Sequence, residues 1–266
     1  MVLLHGFPQF WYMWRFQIPA LVEAGFRVVA PDMRGYNLSE KPRGVRNYRV
    51  ELLARDVARL ILACREESAA VVGHDWGAAM AWVTAMMHPE RVRRLGILNV
   101  PHPECFARGL LQPAQLLRSS YMFFFQVPRL PEKVLAAGDF APLRRALRNE
   151  PMRSGTFTAQ DIELYAEALA RPGALTAALN YYRALFRRNP FKARALLRRI
   201  EAPVMVIWGE RDRYLGKELA KPDPYWVPNL HVERLPDASH FVAEDRPDEV
   251  NSLLLRFLST PWLTSS

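Results

Sequence analysis

Ala69-Ala70-Val71-Val72-Gly73-His74-Asp75-Trp76-Gly77-Ala78 is the stretch on which the fold turns. A short apolar run closes at Gly73, and a helical pattern follows over 78–87. Strand, tight turn and helix in this order make the setting of a nucleophile elbow, G-x-Nu-x-G. The turn is strained, so glycine stands where a side chain would clash, and the central residue is lifted above the sheet edge beside the next helix. In most such turns that residue is Ser; here it is Asp75. An ordinary strand–helix junction with an Asp near the helix start would look the same in isolation, so the companions of Asp75 decide between the two.

Working outward, the rhythm of the elbow repeats. Val2-Leu3-Leu4 ends at His5-Gly6, Phe26-Arg27-Val28-Val29-Ala30 closes at Pro31-Asp32, and Leu95-Gly96-Ile97-Leu98-Asn99 closes at Pro101. Helical patterns lie between them over 17–23, 49–64 and 78–87. Short apolar runs alternating with helices predict a parallel sheet covered on both faces. After Pro103 the rhythm stops, and residues 104–196 read as helices without a strand. It resumes with Val204-Met205-Val206-Ile207-Trp208, His231-Val232-Glu233-Arg234-Leu235 and a last helix over about 248–258. The expected class is therefore α/β, with a core of 1–103 and 197–266 and an all-helical lid of 104–196 inserted between two strands.

Composition excludes several classes. Half of the 266 residues are hydrophobic and 24% are charged, as in a globular chain. Two separated cysteines, Cys64 and Cys105, exclude a disulfide framework and a cysteine zinc site, and the six histidines form no H-E-x-x-H. Neither a metal nor a cofactor is expected. The longest apolar runs are too short to span a bilayer, and the four residues before His5 are too few for a signal peptide, so the expected setting is cytoplasmic, without stable membrane insertion. The net charge of +9 sits in one place: residues 104–199 hold 16 Lys and Arg against 7 Asp and Glu, and the remainder holds 20 of each. An anionic partner is one reading of this segment; Arg-rich solvated helix faces are the commoner one and are preferred. No nucleic-acid motif accompanies the charge, and no such partner is expected.

The companions of Asp75 arrive in order. Gly209-Glu210-Arg211-Asp212 follows the strand that ends at Trp208, and Ala238-Ser239-His240-Phe241 follows the next strand. Nucleophile, acid and histidine at successive strand ends is the chain order of the α/β hydrolases. Asp75, His240 and Asp212 are the candidate triad, with His240 as base and Asp212 holding its ring. The backbone N–H groups of Phe7, in His5-Gly6-Phe7-Pro8, and of Trp76 are the candidate oxyanion hole.

The chain resembles the epoxide hydrolases of the α/β-hydrolase fold. The matching stretches are HGFPQFWYMWR at 5–15, PDMRGYNLSEKP at 31–42, GHDWGA at 73–78, NVPHP at 99–103, SYMFFFQVP at 120–128, LNYYR at 179–183, WGERDRYL at 208–215 and SHF at 239–241. In that family two lid tyrosines activate the epoxide oxygen, and the resemblance places them at Tyr121 and Tyr182. Trp76, Met122, Phe125 and Tyr181 are expected to line the substrate site. The resemblance implies an epoxide with water as second substrate, and the apolar residues Met122, Phe123, Phe124, Phe125 and Trp76 point to a small lipophilic one, such as an aryl, terpene or fatty-acid epoxide. The assembly is expected to be a monomer or homodimer. The resemblance also implies a β-hairpin ahead of the first strand, where four residues precede His5. Without that hairpin, residues 26–30 are expected to form an open apolar edge strand, with reduced stability.

The residue chemistry agrees. Opening an epoxide expels an alkoxide, and a phenol of pKa about 10 is a reasonable proton donor to it. An ionised Asp75 attacks a saturated carbon to give an ester that water can cleave, whereas a serine would leave an ether. Haloalkane dehalogenases share the fold and the triad but need two N–H donors for a departing halide. Trp76 matches one; Phe7 stands where a second donor, typically an Asn, would be. The tryptophans at 11, 14, 76, 82, 208, 226 and 262 leave none in the lid. Fluoroacetate dehalogenases resemble the HGFPQ stretch but usually follow the nucleophile with Arg. A non-catalytic scaffold or ligand receptor would have no reason to keep the triad complete.

Overall fold

The computed structural model describes residues 1–189, 191 and 194–259. Five strands, β1 (Val2–Leu4), β2 (Ala69–His74), β3 (Val92–Leu98), β4 (Val204–Gly209) and β5 (Leu230–Leu235), form one sheet in sequence order, with every pairing parallel. Parallel neighbours need crossovers, and helices supply them. They are α1 (Gln17–Glu23), α2 (Val50–Ala63) and α3 (Trp76–Met87) early in the chain, and α10 (Val242–Asp245) and α11 (Pro247–Ser259) at its end.

The pleat sorts the strand residues. Val2, Leu4, Val71, Leu95, Ile97, Val204, Val206 and Trp208 enter one apolar cluster, and Leu3, Val72, Leu98, Met205 and Ile207 enter the other. The alternation is the period of two expected of a sheet buried on both faces. α2 meets the first face with Val50, Leu53, Ala54, Val57, Ala58 and Ile61, a stripe at three- and four-residue spacing. α1 and α11 cover the second face through Leu21, Val250, Leu254 and Phe257. Nearly every residue of α3 is buried, which is why its sequence is apolar all round.

Residues 26–30 depart from expectation. They form a single bridge, Val2 with Val29, and no strand. Leu3 N–H donates to Val29 at 2.9 Å and Val29 N–H donates to Met1 at 3.0 Å. A β-branched run becomes a strand when a ladder holds it, and three-residue β1 offers room for two bonds only.

Between β3 and β4 the described residues hold helices and no strand: α4 (Pro103–Gly109), α5 (Pro113–Arg118), α6 (Ser120–Phe124), α7 (Leu130–Asn149), α8 (Ala159–Ala170) and α9 (Ala174–Phe186). α7 is interrupted at Ala137–Phe140, where Gly138, Asp139 and Phe140 take positive φ. α8 starts on a capping box in which Thr158 and Asp161 satisfy each other's backbone N–H. These helices join the first-face cluster through Leu143, Leu169, Leu175 and Tyr181. β3 and β4 are parallel neighbours, so the chain leaves the sheet at the carboxyl end of β3, the end at which β2 runs into the elbow, and returns to the opposite, amino end of β4.

Candidate active site

The elbow is built as its glycines require. Asp75 sits at φ 49°, ψ −126°, a conformation an L-residue holds only when its surroundings fix it. A Cβ on Gly73 would stand 2.5 Å from the backbone nitrogen of Ala78, and one on Gly77 would fall on the Leu4 carbonyl. The loop after β1 closes over the Asp75 side chain from the other direction, and a Cβ on Gly6 would collide with it. The Phe7–Pro8 bond in this loop is cis. Phe7 N–H donates to Asp75 Oδ1 at 2.6 Å.

His240 stands against the second oxygen, with Nε2 3.5 Å from Asp75 Oδ2. Its Nδ1 meets Asp212 Oδ2 at 2.7 Å. Asp212 is fixed in turn. Its Oδ1 accepts the backbone N–H groups of Tyr214 at 2.7 Å and Leu215 at 3.0 Å, and its Oδ2 accepts the side-chain amide of Asn99 at 2.7 Å. Asn99 directly follows β3 at φ 49° and also accepts the Gly209 N–H at 2.8 Å. The loop carrying His240 is held from below and from the side. His74 Nε2 bonds the His240 carbonyl at 2.7 Å, and Asp245 accepts the Ser239 N–H at 2.7 Å. Asp245 reaches the segment between α7 and α8 as well, accepting the Met152 N–H at 3.0 Å.

Charge inside this cluster is arranged around one imidazole. Burial opposes a proton on His240, but the carboxylates of Asp212 and Asp75 outweigh it and raise its pKa to about 10. Burial would raise Asp75, yet His240, His74 and the Trp76 backbone N–H hold it below the usual carboxylate range. Burial depresses His74 to about 4, so it stays neutral and serves as a hydrogen-bonding strut.

Two tyrosines face the carboxylate from the helices between β3 and β4. Tyr121, on α6, and Tyr182, on α9, have ring centroids 5.9 Å apart and border the same space as Asp75. Burial, with the charge of Asp75 second, pushes both phenols up, so each keeps its proton at neutral pH. Two cavities meet at these three residues. One, of about 300 Å³, also touches His240, Phe7 and Phe125. The other, of about 130 Å³, runs past Trp76, Met80 and Met122. The walls of both are mainly aliphatic and aromatic, as in sites for lipophilic molecules.

The sequence-derived residues thus converge, with one exception. Asp75, His240, Asp212, Tyr121, Tyr182, Phe7, Trp76, Phe125 and Met122 lie at the junction or on the cavity walls. Tyr181 lies behind Trp76, ring to ring at 5.4 Å, and its hydroxyl donates to the Arg34 carbonyl at 2.7 Å. Adjacent helical residues point about 100° apart, so the neighbour of a cavity tyrosine faces the core instead. Sequence reasoning missed Asn99 and Tyr214. Tyr214 packs on both Tyr121 and His240, and its hydroxyl donates to Glu150 at 2.6 Å. The available signal for Asn99 was an Asn ending a buried strand just ahead of Pro101, a residue type that tolerates left-handed backbone.

Comparison with known proteins agrees with this fold. The alpha/beta hydrolase fold family matches residues 1–247. The chain is 44% identical over 258 residues to the AB hydrolase superfamily protein YfhM of Bacillus subtilis (strain 168), covering 97% of this chain and 89% of that protein. It is 37% identical over 264 residues to epoxide hydrolase 4 of Homo sapiens, with 97% and 72% covered. Among solved structures it is similar to the Bacillus megaterium epoxide hydrolase in complex with an inhibitor, at TM-score 0.86 and 34% identity, covering 98% of this chain and 93% of that one.

Proposed function

The chain belongs to the epoxide hydrolase family of the α/β-hydrolase fold, and from that premise we propose that it converts a lipophilic epoxide and water into a vicinal diol. The observation that carries the reading is the placement of one carboxylate, Asp75, between a His–Asp pair on one side and two phenols on the other. Residues 104–196 act as the lid that supplies the phenols.

Asp75 Oδ1 is occupied by the Phe7 N–H, which leaves Oδ2 as the attacking oxygen. Oδ2 bonds an epoxide carbon, the carbon–oxygen bond breaks, and Tyr121 or Tyr182 protonates the departing alkoxide. The product is an ester of Asp75 whose carbonyl oxygen, Oδ1, already lies at the Phe7 N–H. Esterification removes the Asp75 charge, one of the two that hold a proton on His240. The imidazolium gives up that proton, which restores the tyrosinate left by the first step, and the neutral imidazole then takes a proton from water as the hydroxide attacks the ester carbonyl. The negative charge gathers on Oδ1, where the N–H groups of Phe7 and Trp76 receive it. Collapse frees the diol and restores the carboxylate, and the proton balance closes with water as the only second reactant.

The cavities on either side of Asp75 suit an epoxide with apolar substituents. A related Bacillus megaterium enzyme, 34% identical at TM-score 0.88, has been solved with a naphthyloxy propanediol product, which supports an aryl-bearing substrate here. A paired assay tests the reading: diol formation from styrene oxide and halide release from 1,2-dibromoethane, each with Asp75→Asn as control. Diol without halide, lost in the variant, is expected. Halide without diol would replace this reading with a dehalogenase and leave the two tyrosines as packing.

A further inference from the structure

The basic charge of the lid has an address. Residues 105–131 and 168–200 contain no Asp or Glu and eleven Lys and Arg. The fold brings the two stretches together: Phe123 and Phe186 meet at 5.0 Å, and Arg183 Nε donates to the Phe125 carbonyl at 3.0 Å. Large apolar side chains on both stretches face solvent. Leu111 is 81% exposed, Leu117 76%, Phe191 84% and Phe123 46%. Arg129, Arg187 and Arg194 on the same stretches are exposed as well.

We propose that this surface docks on an anionic phospholipid bilayer. Arg108, Arg183 and Arg188 are paired with Glu104, Glu132 and Glu51. The exposed leucines and phenylalanines, together with the exposed Arg129, Arg187 and Arg194, match the interface of such a bilayer, where apolar groups enter the acyl boundary and arginines meet phosphate. A nucleic-acid partner would account for the arginines but would leave Leu111 and Leu117 unexplained, since a phosphate backbone gives them nothing to bury against. Outside these two stretches the chain holds 25 Lys and Arg against 27 Asp and Glu, so the excess of positive charge lies in them. Docking here also has a use that rests on the proposed function. α6 presents Phe123 outward while Tyr121 and Met122 of the same short helix border the cavities at Asp75. A lipophilic epoxide dissolved in the bilayer would then meet the wall of the site across a single helix.

The test uses the full chain and needs no substrate. Flotation is measured with vesicles of phosphatidylcholine alone and with vesicles of equal parts phosphatidylcholine and phosphatidylglycerol. Binding to the anionic vesicles only, weakened by salt, is expected. Leu111→Asp with Leu117→Asp is expected to reduce partitioning about tenfold or more, as is Arg187→Gln with Arg194→Gln. Both pairs lie off the cavities, so hydrolysis of a water-dissolved epoxide reports that the variants are folded. Absence of flotation with anionic vesicles, or flotation unchanged by the leucine pair, overturns the proposal. A wild-type dimer that Leu117→Asp splits into monomers also overturns it, because a second copy would then cover that surface.

Discussion

The side-chain amide of Asn99 donates to Asp212 Oδ2 at 2.7 Å, on the oxygen that also faces His240. The triad acid is thus oriented from β3, a strand that carries no triad member. Asn99→Ala removes that donor and leaves the Gly209 N–H, 2.8 Å away, without its acceptor. Hydrogen bonds to charged groups contribute about 1.5–3 kcal/mol, so kcat for diol formation is expected to fall about 10- to 100-fold with KM little changed. Steady-state kinetics on one epoxide checks it, and an unchanged kcat would remove Asn99 from the site.

Asp75→Asn is expected to abolish turnover, by about 10⁴-fold or more. It has a second signature in the resting protein. The His240 proton is held to about pH 10 by two carboxylates acting against burial. Removing one lets its titration midpoint drop toward the ordinary imidazole value of about 6.5. Imidazole NMR across pH reads this directly, and a midpoint that stays in place would mean that Asp212 alone sets it.

Tyr121→Phe and Tyr182→Phe keep the aromatic packing, 5.9 Å between rings, and remove one donor each. Either is expected to slow ester formation about 100-fold, and the pair together to leave no measurable burst. Rapid-quench mass measurement of the Asp75 adduct separates this step from ester hydrolysis. A slowed hydrolysis with normal adduct formation would move the tyrosines out of the first step.

Glu244 is buried where the lid meets the core, near Gln9 and Arg15. Burial raises its carboxyl from 4.5 to about 8. A folded pKa above the unfolded one stabilises the fold fully below about pH 4.5, and that contribution disappears as pH rises through 8. Glu244→Gln removes the dependence. Its melting temperature relative to the unmodified chain is expected to be about 2–5 °C higher at pH 9 than at pH 5. His240 loses stability in the same direction toward pH 10, but it is present in both proteins and cancels in the difference. An equal offset at both pH values would place the ionisation of Glu244 elsewhere.

Much of this was legible in the chain. Apolar runs closed by Gly or Pro located β1 to β4, because a strand buried on both faces has no polar register to confuse it; β5, with His231, Glu233 and Arg234, is only partly buried and closes at Pro236. The elbow, the acid and the histidine were legible because each follows a strand end, where the backbone leaves the sheet and side chains converge. Residues 26–30 read like a strand and form one bridge, since composition reports the propensity of a segment and not the number of its partners. The direction of Tyr181 was invisible for a similar reason: two adjacent tyrosines carry the same letter, and only the packing of α9 on Tyr36 and Tyr48 separates their roles. Asn99, His74 and Asp245 act through hydrogen bonds to backbone or carboxylate, and such bonds leave no periodic mark in a sequence.

The apolar cluster beneath the lid does not stop at the lid's boundary. Val71 and Trp208 of the sheet share it with Tyr165, Leu169 and Leu175 of the insertion. A hinge motion that lifted the lid as one piece would therefore tear open the interior of the protein to admit a single small molecule. Admission must be a local affair, and α7 offers the means: its left-handed break at Gly138, Asp139 and Phe140 stands between Leu135 and Leu143, both on the wall of the larger cavity. The threshold for a substrate is then the reshaping of a few residues, so the bulk it can carry is limited by how far that one joint yields.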